Sequence, residues 1–309
     1  MKRFLVLTLL LISGCTGDVV HQTPFEATKE PKVYFCPKDN CTARLVELIE
    51  QFASADCALY NLQSKEIIEA LGKKQSRLII DDIYANKKLN LNYISDDGKQ
   101  ITHNKFCVFD ARTVWTGSFN PTEEVDNNNV VVIQSRYLAA NYEQEFDEMW
   151  NRVFGGGKKT ENPMIVINGK MVENYFCPED SCKAHVLENL ARAKSSIRFM
   201  VFSLTDKEIA QMIVEKSRNG LRVQGIMEKQ RINMKYEQYK YLNSSGVEVK
   251  PDKNKHLMHN KVFIIDNETV ITGSYNPTQS GNERNDENIL IIHDREIAKQ
   301  YVEEFERLW

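Results

Sequence analysis

The sequence contains His103-Asn104-Lys105-Phe106-Cys107-Val108-Phe109-Asp110 and, further along, His259-Asn260-Lys261-Val262-Phe263-Ile264-Ile265-Asp266. Both stretches follow the pattern His-x-Lys-x4-Asp, and in both the lysine is followed by apolar residues typical of a strand. Side chains two residues apart on a strand leave the same face, so each stretch places an imidazole beside an ammonium group. The recurrence predicts a chain built from two homologous halves.

Each stretch is followed at the same distance by a second motif. Gly117-Ser118-Phe119-Asn120 follows the first, and Gly273-Ser274-Tyr275-Asn276 follows the second. The serine and the asparagine lie two residues apart after a tight glycine, so they also share a side. Two such surfaces facing each other would form a pocket for a tetrahedral anion, lined by His103, Lys105, Ser118, Asn120, His259, Lys261, Ser274 and Asn276.

The repeat extends through both halves. Tyr34-Phe35-Cys36-Pro37 recurs as Tyr175-Phe176-Cys177-Pro178, and each half ends in Tyr-x3-Phe-x3-Trp. In the second half, hydrophobic periodicity predicts strands at residues 196–204, 221–227, 258–266, 269–273 and 288–293, with helices at 207–218 and 296–309. This alternation predicts an α/β fold in which two homologous halves pack as a pseudo-two-fold pair around one shared active site.

The same features predict the division of the chain. We expect a signal peptide at residues 1–14, a tether at 15–32, a first half at 33–154, a linker at 155–172 and a second half at 173–309. The glycines and lysines that follow residue 154 favour the linker.

The first residues have the features of an export signal. Lys2 and Arg3 precede an apolar run at 4–12, which is too short to span a bilayer. Ile12-Ser13-Gly14-Cys15 resembles the lipobox of prokaryotic lipoproteins, which implies cleavage before Cys15 and lipid on its sulfur. The alternative is an ordinary signal peptide. We therefore predict an extracytoplasmic protein, held at the membrane through lipidated Cys15 or secreted.

The cysteines agree with export. Cys36 and Cys41 recur at the same spacing as Cys177 and Cys182, which favours one short disulfide in each half. A metal site is the alternative, but no further ligands of matching spacing follow either pair. Cys57 and Cys107 lie in apolar runs and are most simply buried thiols, although a bridge between them is possible.

The eight pocket residues suit phosphodiester chemistry. Lysine and asparagine side chains can hold the non-bridging oxygens, whose charge grows during attack. One imidazole can attack phosphorus and the other can protonate the leaving oxygen, because histidine has both protonation states accessible near neutral pH. This chemistry calls for no metal and no cofactor. We expect Asp110 and Asp266 to fix the turns that follow them.

A single His-x-Lys pair on a strand would be an ordinary surface feature, but the doubled pattern resembles the signature of the phospholipase D superfamily. The resemblance extends from about residue 33 to residue 309. It implies hydrolysis through a phosphohistidine without a metal, with His103 as the nucleophile and His259 as the general acid. The second half is most similar to the small secreted bacterial endonucleases of that superfamily, which work as homodimers.

The two halves differ at one position. Glu287 lies where the family places an acid that orients an active-site histidine, whereas the first half has Asn128 there. An acid stabilises the protonated imidazole and fixes its tautomer, but an amide fixes orientation alone. The sequence leaves open whether Glu287 contacts the histidine of its own half or of the other.

Three functions remain open from the sequence. The endonuclease-like second half favours a nuclease, and residues 231–241 interleave basic side chains with tyrosines, although an amphipathic helix explains that pattern more simply. The predicted anchor and the net charge of −3 fit a phospholipase D acting on membrane phospholipids. A non-catalytic envelope binding module is the third candidate. The expected partners are thus a nucleic-acid or phospholipid diester and the membrane, with no obligate protein partner.

Overall fold

The structure is a computed structural model that describes residues 23–85, 89–122 and 125–309. The predicted signal peptide and Cys15 lie outside the described residues. None of the helices within these ranges is long and apolar enough to cross a bilayer.

Both halves alternate strands with helices. The described elements of the first half and its approach are β1 (Phe25–Glu26), β2 (Lys32–Cys36), α1 (Cys41–Gln51), β3 (Ser54–Leu59), α2 (Lys65–Gly72), β4 (Gln75–Ile80), β5 (Tyr93–Ser95), β6 (Lys105–Phe109), β7 (Thr113–Gly117), β8 (Asn128–Gln134) and α3 (Arg136–Trp150). Those that follow are β9 (Met164–Ile167), β10 (Lys170–Cys177), α4 (Cys182–Arg192), β11 (Ser196–Val201), α5 (Lys207–Arg218), β12 (Arg222–Met227), α6 (Tyr239–Ser244), β13 (Glu248–Pro251), β14 (Lys261–Ile265), β15 (Thr269–Gly273), α7 (Gln279–Glu283), β16 (Glu287–His293) and α8 (Arg295–Leu308).

The two sheets repeat the same strand order. The first sheet runs β2-β8-β7-β6-β3-β4-β5, and the second runs β1-β9-β10-β16-β15-β14-β11-β12-β13. Seven strands of the second sheet, from β10 to β13, correspond one to one with those of the first. The expected α/β pair of homologous halves is confirmed, and the second sheet is longer by β1 and β9.

Helix α5 illustrates why the local sequence folds as expected. The Asp206 carboxylate caps its first turn by accepting hydrogen bonds from the backbone N–H groups of Glu208 and Ile209. Ile209 and Ile213 lie one turn apart and are buried against the sheet, and the helix ends at Arg218 before Asn219-Gly220. The predicted helix at 207–218 has the same bounds.

Sheet topology brings the motif strands to one edge. Leu59, the last residue of β3, pairs with Lys105, the first residue of the antiparallel strand β6. Val201 at the end of β11 pairs in the same way with Lys261 at the start of β14. Because β4 and β12 run parallel to their neighbours, their carboxyl ends reach that edge too. The histidines, which precede β6 and β14, therefore lie there.

A core shared by the two halves contains a crossed set of polar contacts. The Asn129 amide donates hydrogen bonds to the Thr272 hydroxyl (2.6 Å) and to the Tyr301 hydroxyl (2.9 Å). Asn288, its equivalent in the other half, accepts from the hydroxyls of Thr116, at 2.9 Å, and Tyr142, at 3.2 Å. These groups are buried, so losing one partner would leave an unsatisfied polar group in the core.

Two segments outside the expected halves form strands. The expected tether contributes β1, whose Phe25 and Glu26 pair with Val166 and Ile167 of β9 in the expected linker. Strand β10 also begins at Lys170, before the expected boundary at 173. Strands of two and four residues carry too few side chains to show a period of two, which is why the sequence did not reveal them.

The structure contains three disulfides. Cys36 is bonded to Cys41 and Cys177 to Cys182, the pairs that the repeated spacing favours. Cys57 is bonded to Cys107, so the simpler expectation of two buried thiols is wrong. These two cysteines face each other on β3 and β6, with their Cα atoms 4.1 Å apart, a register that the sequence alone does not give.

Candidate active site

The histidine of the first half is oriented by the second half. His103 Nδ1 lies 2.7 Å from an Oε2 atom of Glu287, which is completely buried at the start of β16. The backbone N–H of His103 donates to the carbonyl oxygen of Asp286 at 3.0 Å. Glu287 therefore acts across the interface, which answers the question that the sequence left open. With Nδ1 occupied, the ring presents Nε2 as its free nitrogen.

The histidine of the second half has the mirrored arrangement with uncharged partners. His259 Nδ1 lies 2.9 Å from Asn128 Oδ1 and 3.0 Å from the carbonyl oxygen of Ser118. Its backbone N–H donates to the carbonyl of Asn127 at 2.9 Å. Each ring thus has acceptors from the opposite half, and the two sets differ in charge.

The two lysines lie beneath the histidines. Lys105 donates to the carbonyl of His103 and Lys261 to that of His259, each at 2.6 Å. The Lys105 ammonium also lies 5.1 Å from the centre of the Tyr60 ring. Both lysines are buried. Each ammonium has three N–H donors and uses one in the bond to the histidine carbonyl, which leaves two for an anion.

Burial determines the charge state of the site. It lowers the pKa of Lys105 to about 7, and together with Lys105 it lowers the pKa of Lys261 well below its usual range. Burial and the two lysines also lower the pKa of both histidines. An anion bound between the lysines would oppose these shifts, because it stabilises the protonated amines.

Glu287 is shifted in the opposite direction. Burial raises its pKa to about 7, while Lys105 and hydrogen bonds from Ser274 and Asn285 oppose the shift. The carboxylate, the lysines and the His103 ring form one buried group of charges. Their protonation states therefore depend on one another and on any bound anion.

The motif serines lie behind the histidines rather than in the anion pocket. The Ser274 hydroxyl donates to Glu287 Oε2 at 2.7 Å, and the Ser118 hydroxyl donates to Asn128 Oδ1 at 3.0 Å. Each hydroxyl also accepts the backbone N–H of the residue after its partner in sequence. The serines thus hold the groups that orient the histidine rings.

The motif asparagines remain available to a ligand. The Oδ1 atoms of Asn120 and Asn276 are buried and, within the described ranges, have no hydrogen-bond partner. The non-bridging oxygens of a diester only accept hydrogen bonds, so the Nδ2 N–H groups of these amides are the ones that could hold it, while each Oδ1 can accept from a hydroxyl or a water.

The glycines before the serines are required by close backbone contact. A Cβ atom on Gly117 would lie 2.2 Å from the carbonyl oxygen of Asn129, and one on Gly273 would lie 2.3 Å from that of Asn288. Both residues also have positive φ angles, 156° and 135°. The glycines let β7 approach β8, which carries Asn128, and let β15 approach β16, which carries Glu287.

The motif aspartates lie at the far end of the strands, as expected for structural residues. The Asp266 carboxylate accepts hydrogen bonds from the backbone N–H groups of Lys194, Ser195 and Ser196. Asp110 accepts in the same way from Ala53 and Ser54. Both aspartates have positive φ angles and stand in the turns after β6 and β14, but their carboxylates hold the turns before β3 and β11 rather than the turns that follow them, as the sequence had suggested.

One group of acids near the site has the geometry to hold a cation. Oxygen atoms of Asp81, Asp82 and Asp96 lie within 4.8 Å of one another. Burial and the neighbouring Asp96 raise the pKa of Asp81 to about 7, so protonation of Asp81 can relieve the repulsion in this group without a metal.

Sequence reasoning missed the aromatic residues beside the histidines. The ring centre of Tyr60 lies 5.1 Å from that of His103, and Phe202 lies 5.1 Å from His259. Both follow the last residue of the central parallel strand in their half. Because the two residue types differ, only their equivalent positions in the two halves could have revealed these residues from the sequence.

Comparison with known proteins gives one family match over most of the chain. The family model described as "Cardiolipin synthase, PLD-like domain" matches residues 45–150 and 186–309. The two matched segments contain both pairs of histidine and lysine motifs.

Two curated relatives match part of the chain. It is 32% identical over 132 residues to "Phospholipase D" of Rickettsia felis, a match covering 43% of this chain and 66% of that protein. It is 37% identical over 136 residues to "Mitochondrial cardiolipin hydrolase" of Xenopus tropicalis, covering 43% and 65%. The chain therefore spans just under two thirds of the length of these relatives.

A solved structure resembles nearly the whole chain. The phosphatidylserine synthase of Haemophilus influenzae superposes with a TM-score of 0.67 at 14% identity, covering 89% of this chain and 85% of the other. At this identity the likeness concerns the fold alone.

Proposed function

The chain belongs to the family of phospholipase D-like domains, and from that premise we propose that it hydrolyses phosphodiesters through a phosphohistidine intermediate. The observation that carries the proposal is the crossed pair of contacts at the two rings. His103 Nδ1 faces the Glu287 carboxylate, whereas His259 Nδ1 faces the Asn128 amide. Two chemically different imidazoles fit a division of labour between nucleophile and acid.

The first step forms a bond between His103 Nε2 and phosphorus. Glu287 accepts a hydrogen bond from Nδ1–H, which fixes the tautomer that has a lone pair on Nε2. The carboxylate also stabilises the positive charge that develops on the ring. The bond from phosphorus to the leaving oxygen breaks, and His259 Nε2 gives that oxygen a proton.

The second step reverses these roles. His259 Nε2 takes a proton from water, the water oxygen bonds to phosphorus, and the bond to His103 breaks. One diester and one water molecule thus give a phosphomonoester and an alcohol. Lys105, Lys261, Asn120 and Asn276 would hold the non-bridging oxygens throughout, which makes anion stabilisation part of the site before substrate arrives.

We propose a membrane phospholipid as the substrate class. The two relatives are named as a phospholipase D and a cardiolipin hydrolase, and both names support a lipid. This departs from the nuclease that the sequence alone favours. Nucleic acid remains the second candidate because the Lys235 ammonium lies 5.1 Å from the exposed ring of Tyr236, an arrangement suited to a backbone phosphate and a base.

A side-by-side assay tests the proposal. The purified chain is given phosphatidylcholine/phosphatidylglycerol liposomes and plasmid DNA in the presence of EDTA, with His103→Ala as the control. We expect release of lipid head group that is lost in the variant. Cleavage of DNA alone would replace the lipid by nucleic acid, and absence of any diester hydrolysis would leave the non-catalytic binding module.

A further inference from the structure

Ile83, Met234 and Tyr236 are large, exposed side chains at the edge of the sheets where the histidines lie. Ile83 follows the carboxyl end of β4 and is 68% exposed. Met234 and Tyr236 follow the carboxyl end of β12 and are 51% and 65% exposed. The two loops occupy equivalent places in the two halves, so these side chains come from both sides of the shared site.

Contacts link both loops to the histidine rings. In the first half, the Tyr84 ring lies 5.0 Å from Tyr60, whose ring is 5.1 Å from His103. In the second half, the Arg231 guanidinium lies 4.9 Å from the ring of Phe202, which is 5.1 Å from His259. Each loop therefore contacts the aromatic side chain that lies against the histidine of its half.

The base of the second loop is fixed while its tip is exposed. Glu237 is buried and accepts hydrogen bonds from the Ser203 hydroxyl and the Leu204 backbone N–H, and the Gln238 backbone N–H donates to the Leu204 carbonyl at 2.9 Å. Residues 233–236, between these anchors and Arg231, are all exposed. Met234 and Tyr236 are therefore presented to solvent by a loop whose base is fixed to the rest of the second half.

We propose that Ile83, Met234 and Tyr236 form an apolar rim that enters the surface of a lipid bilayer and places a phospholipid diester against the two histidines. This inference rests on the proposed function and assigns it a docking surface. Apolar side chains at the tips of loops can bury themselves at the boundary between head groups and acyl chains. Lys235 and Lys240 are exposed beside the rim, where they can approach anionic head groups.

The composition of the rim favours lipid over nucleic acid. Ile83 and Met234 have no aromatic face on which a base could stack.

The chain offers matched controls for this surface. The exposed fractions of Phe25 and Met164, 63% and 45%, are similar to those of Ile83 and Met234. Phe25 and Met164 lie far from the rim in the fold, on β1 and β9 at the outer edge of the second sheet. We would compare Ile83→Asp/Met234→Asp with Phe25→Asp/Met164→Asp in the full chain carrying Cys15→Ser, so that the predicted lipid cannot contribute. Each protein would be assayed on phosphatidylcholine/phosphatidylglycerol vesicles, on plasmid DNA and on soluble bis-p-nitrophenyl phosphate.

We expect the rim variant to lose about tenfold or more of its activity on vesicles, because two aliphatic side chains that would enter the bilayer are replaced by charged ones. Hydrolysis of the soluble diester should change less than about twofold. The control variant should retain both activities. Unchanged vesicle activity in the rim variant would overturn the proposal, and so would a loss confined to DNA cleavage.

A fluorescence measurement keeps the test independent of catalysis. Tyr236→Trp should show a blue shift on vesicles and quenching by brominated lipids relative to the parent chain, whereas Phe25→Trp should show neither. Equal behaviour of the two would contradict the rim, even if both proteins are active. If the parent chain hydrolyses no diester, the proposed function fails, and the quenching of Trp fluorescence at position 236 still decides whether this surface meets lipid.

Discussion

Glu287 and Asn128 occupy equivalent places behind the two histidines, and their difference in charge makes the two rings unequal. A carboxylate beside Nδ1 favours a positively charged ring, which suits the histidine that becomes bonded to phosphorus. A neutral amide fixes the ring but does less to stabilise its protonated form, which suits the histidine that must give up a proton. The difference between the two residues thus supports the proposed roles of His103 as nucleophile and His259 as acid.

The charges of the site predict how activity depends on pH. Glu287, with a pKa of about 7, must be deprotonated to accept the proton of His103, so activity falls as pH drops below 7. Lys105, also with a pKa of about 7 in the free chain, must be protonated to hold the diester, so activity falls as pH rises above 7. We expect a bell-shaped profile of kcat/KM on a soluble diester with its maximum near pH 7. A flat profile between pH 5 and 9 would contradict it.

Exchanging the charge behind the rings should exchange part of their chemistry. With a diester bound, its charge already opposes the lowering of the His259 pKa, and the carboxylate that Asn128→Asp places beside Nδ1 raises that pKa further, which makes the ring a weaker acid. We expect a loss of roughly tenfold or more in kcat for a diester with a poor leaving group and a much smaller loss for bis-p-nitrophenyl phosphate, whose leaving group needs no proton.

Glu287→Gln provides the comparison at the other ring. It removes the stabilisation of the charged intermediate, so we expect losses of about 10²-fold or more for both leaving groups. A variant at position 128 that lost activity equally on both substrates would show that His259 is not the acid.

At the scale of elements, each motif strand is fixed at both ends. The histidine and lysine lie at its first end. The aspartate lies just after its far end and holds the turn before the neighbouring strand, β3 in the first half and β11 in the second. Asp266 accepts three backbone hydrogen bonds across the turn between α4 and β11. The four-residue spacer of the motif is thus the part of the strand that separates the lysine at the site from the aspartate at the opposite end.

Asp266→Ala should therefore destabilise the fold without changing the chemistry. Removing the acceptor of several backbone N–H groups should cost roughly 1–3 kcal/mol in the free energy of unfolding, measured by urea denaturation. Desolvation raises the pKa of Asp266, but hydrogen bonds from Ser196, Lys194 and Ser195 outweigh it and keep that pKa below its usual value. Its contribution is present above the unfolded pKa and is lost as pH falls through the lower folded pKa.

A kcat that fell by more than about threefold in folded Asp266→Ala protein would place the aspartate in the chemistry. Asp266→Asn is the milder control, because its amide oxygen can still accept part of the hydrogen bonds.

The elements also show which features the sequence could reveal. Helix α5 and strand β15 have the predicted bounds, because each carries a clear period and ends at turn residues. Strands β1 and β9 pair with each other although the first half lies between them in sequence, and both are too short to carry a pattern. The Cys57–Cys107 bridge depends on the register of β3 against β6, which only the folded sheet specifies.

At the scale of the whole molecule, the candidate active site lies at the interface between the two halves. Each histidine receives its acceptors from the opposite half, and the backbone N–H of His103 donates to Asp286 while that of His259 donates to Asn127. Repetition of the motifs was enough to single out the eight residues predicted to line the pocket. It could not show this exchange, nor that the serines serve the acceptors, because both depend on how the halves meet.

Separating the halves should therefore abolish activity. We expect residues 23–154 and 155–309, produced as separate chains, to be inactive alone and to recover activity when they are refolded together. Recovery should be lost when the first-half chain carries His103→Ala. Hydrolysis by either half alone, measured at concentrations where it is monomeric, would show that a single half suffices.

The central claim is tested most directly by locating the covalent phosphate. His259→Ala is incubated with bis-p-nitrophenyl phosphate, quenched in alkali and mapped by mass spectrometry of its peptides, because without a base to activate water the intermediate should accumulate. The account predicts a phosphoryl adduct on His103 in this variant and none in His103→Ala. An adduct on His259 in the His103→Ala protein would contradict the assignment, and the absence of any adduct from a variant that still releases nitrophenol would contradict the phosphohistidine itself.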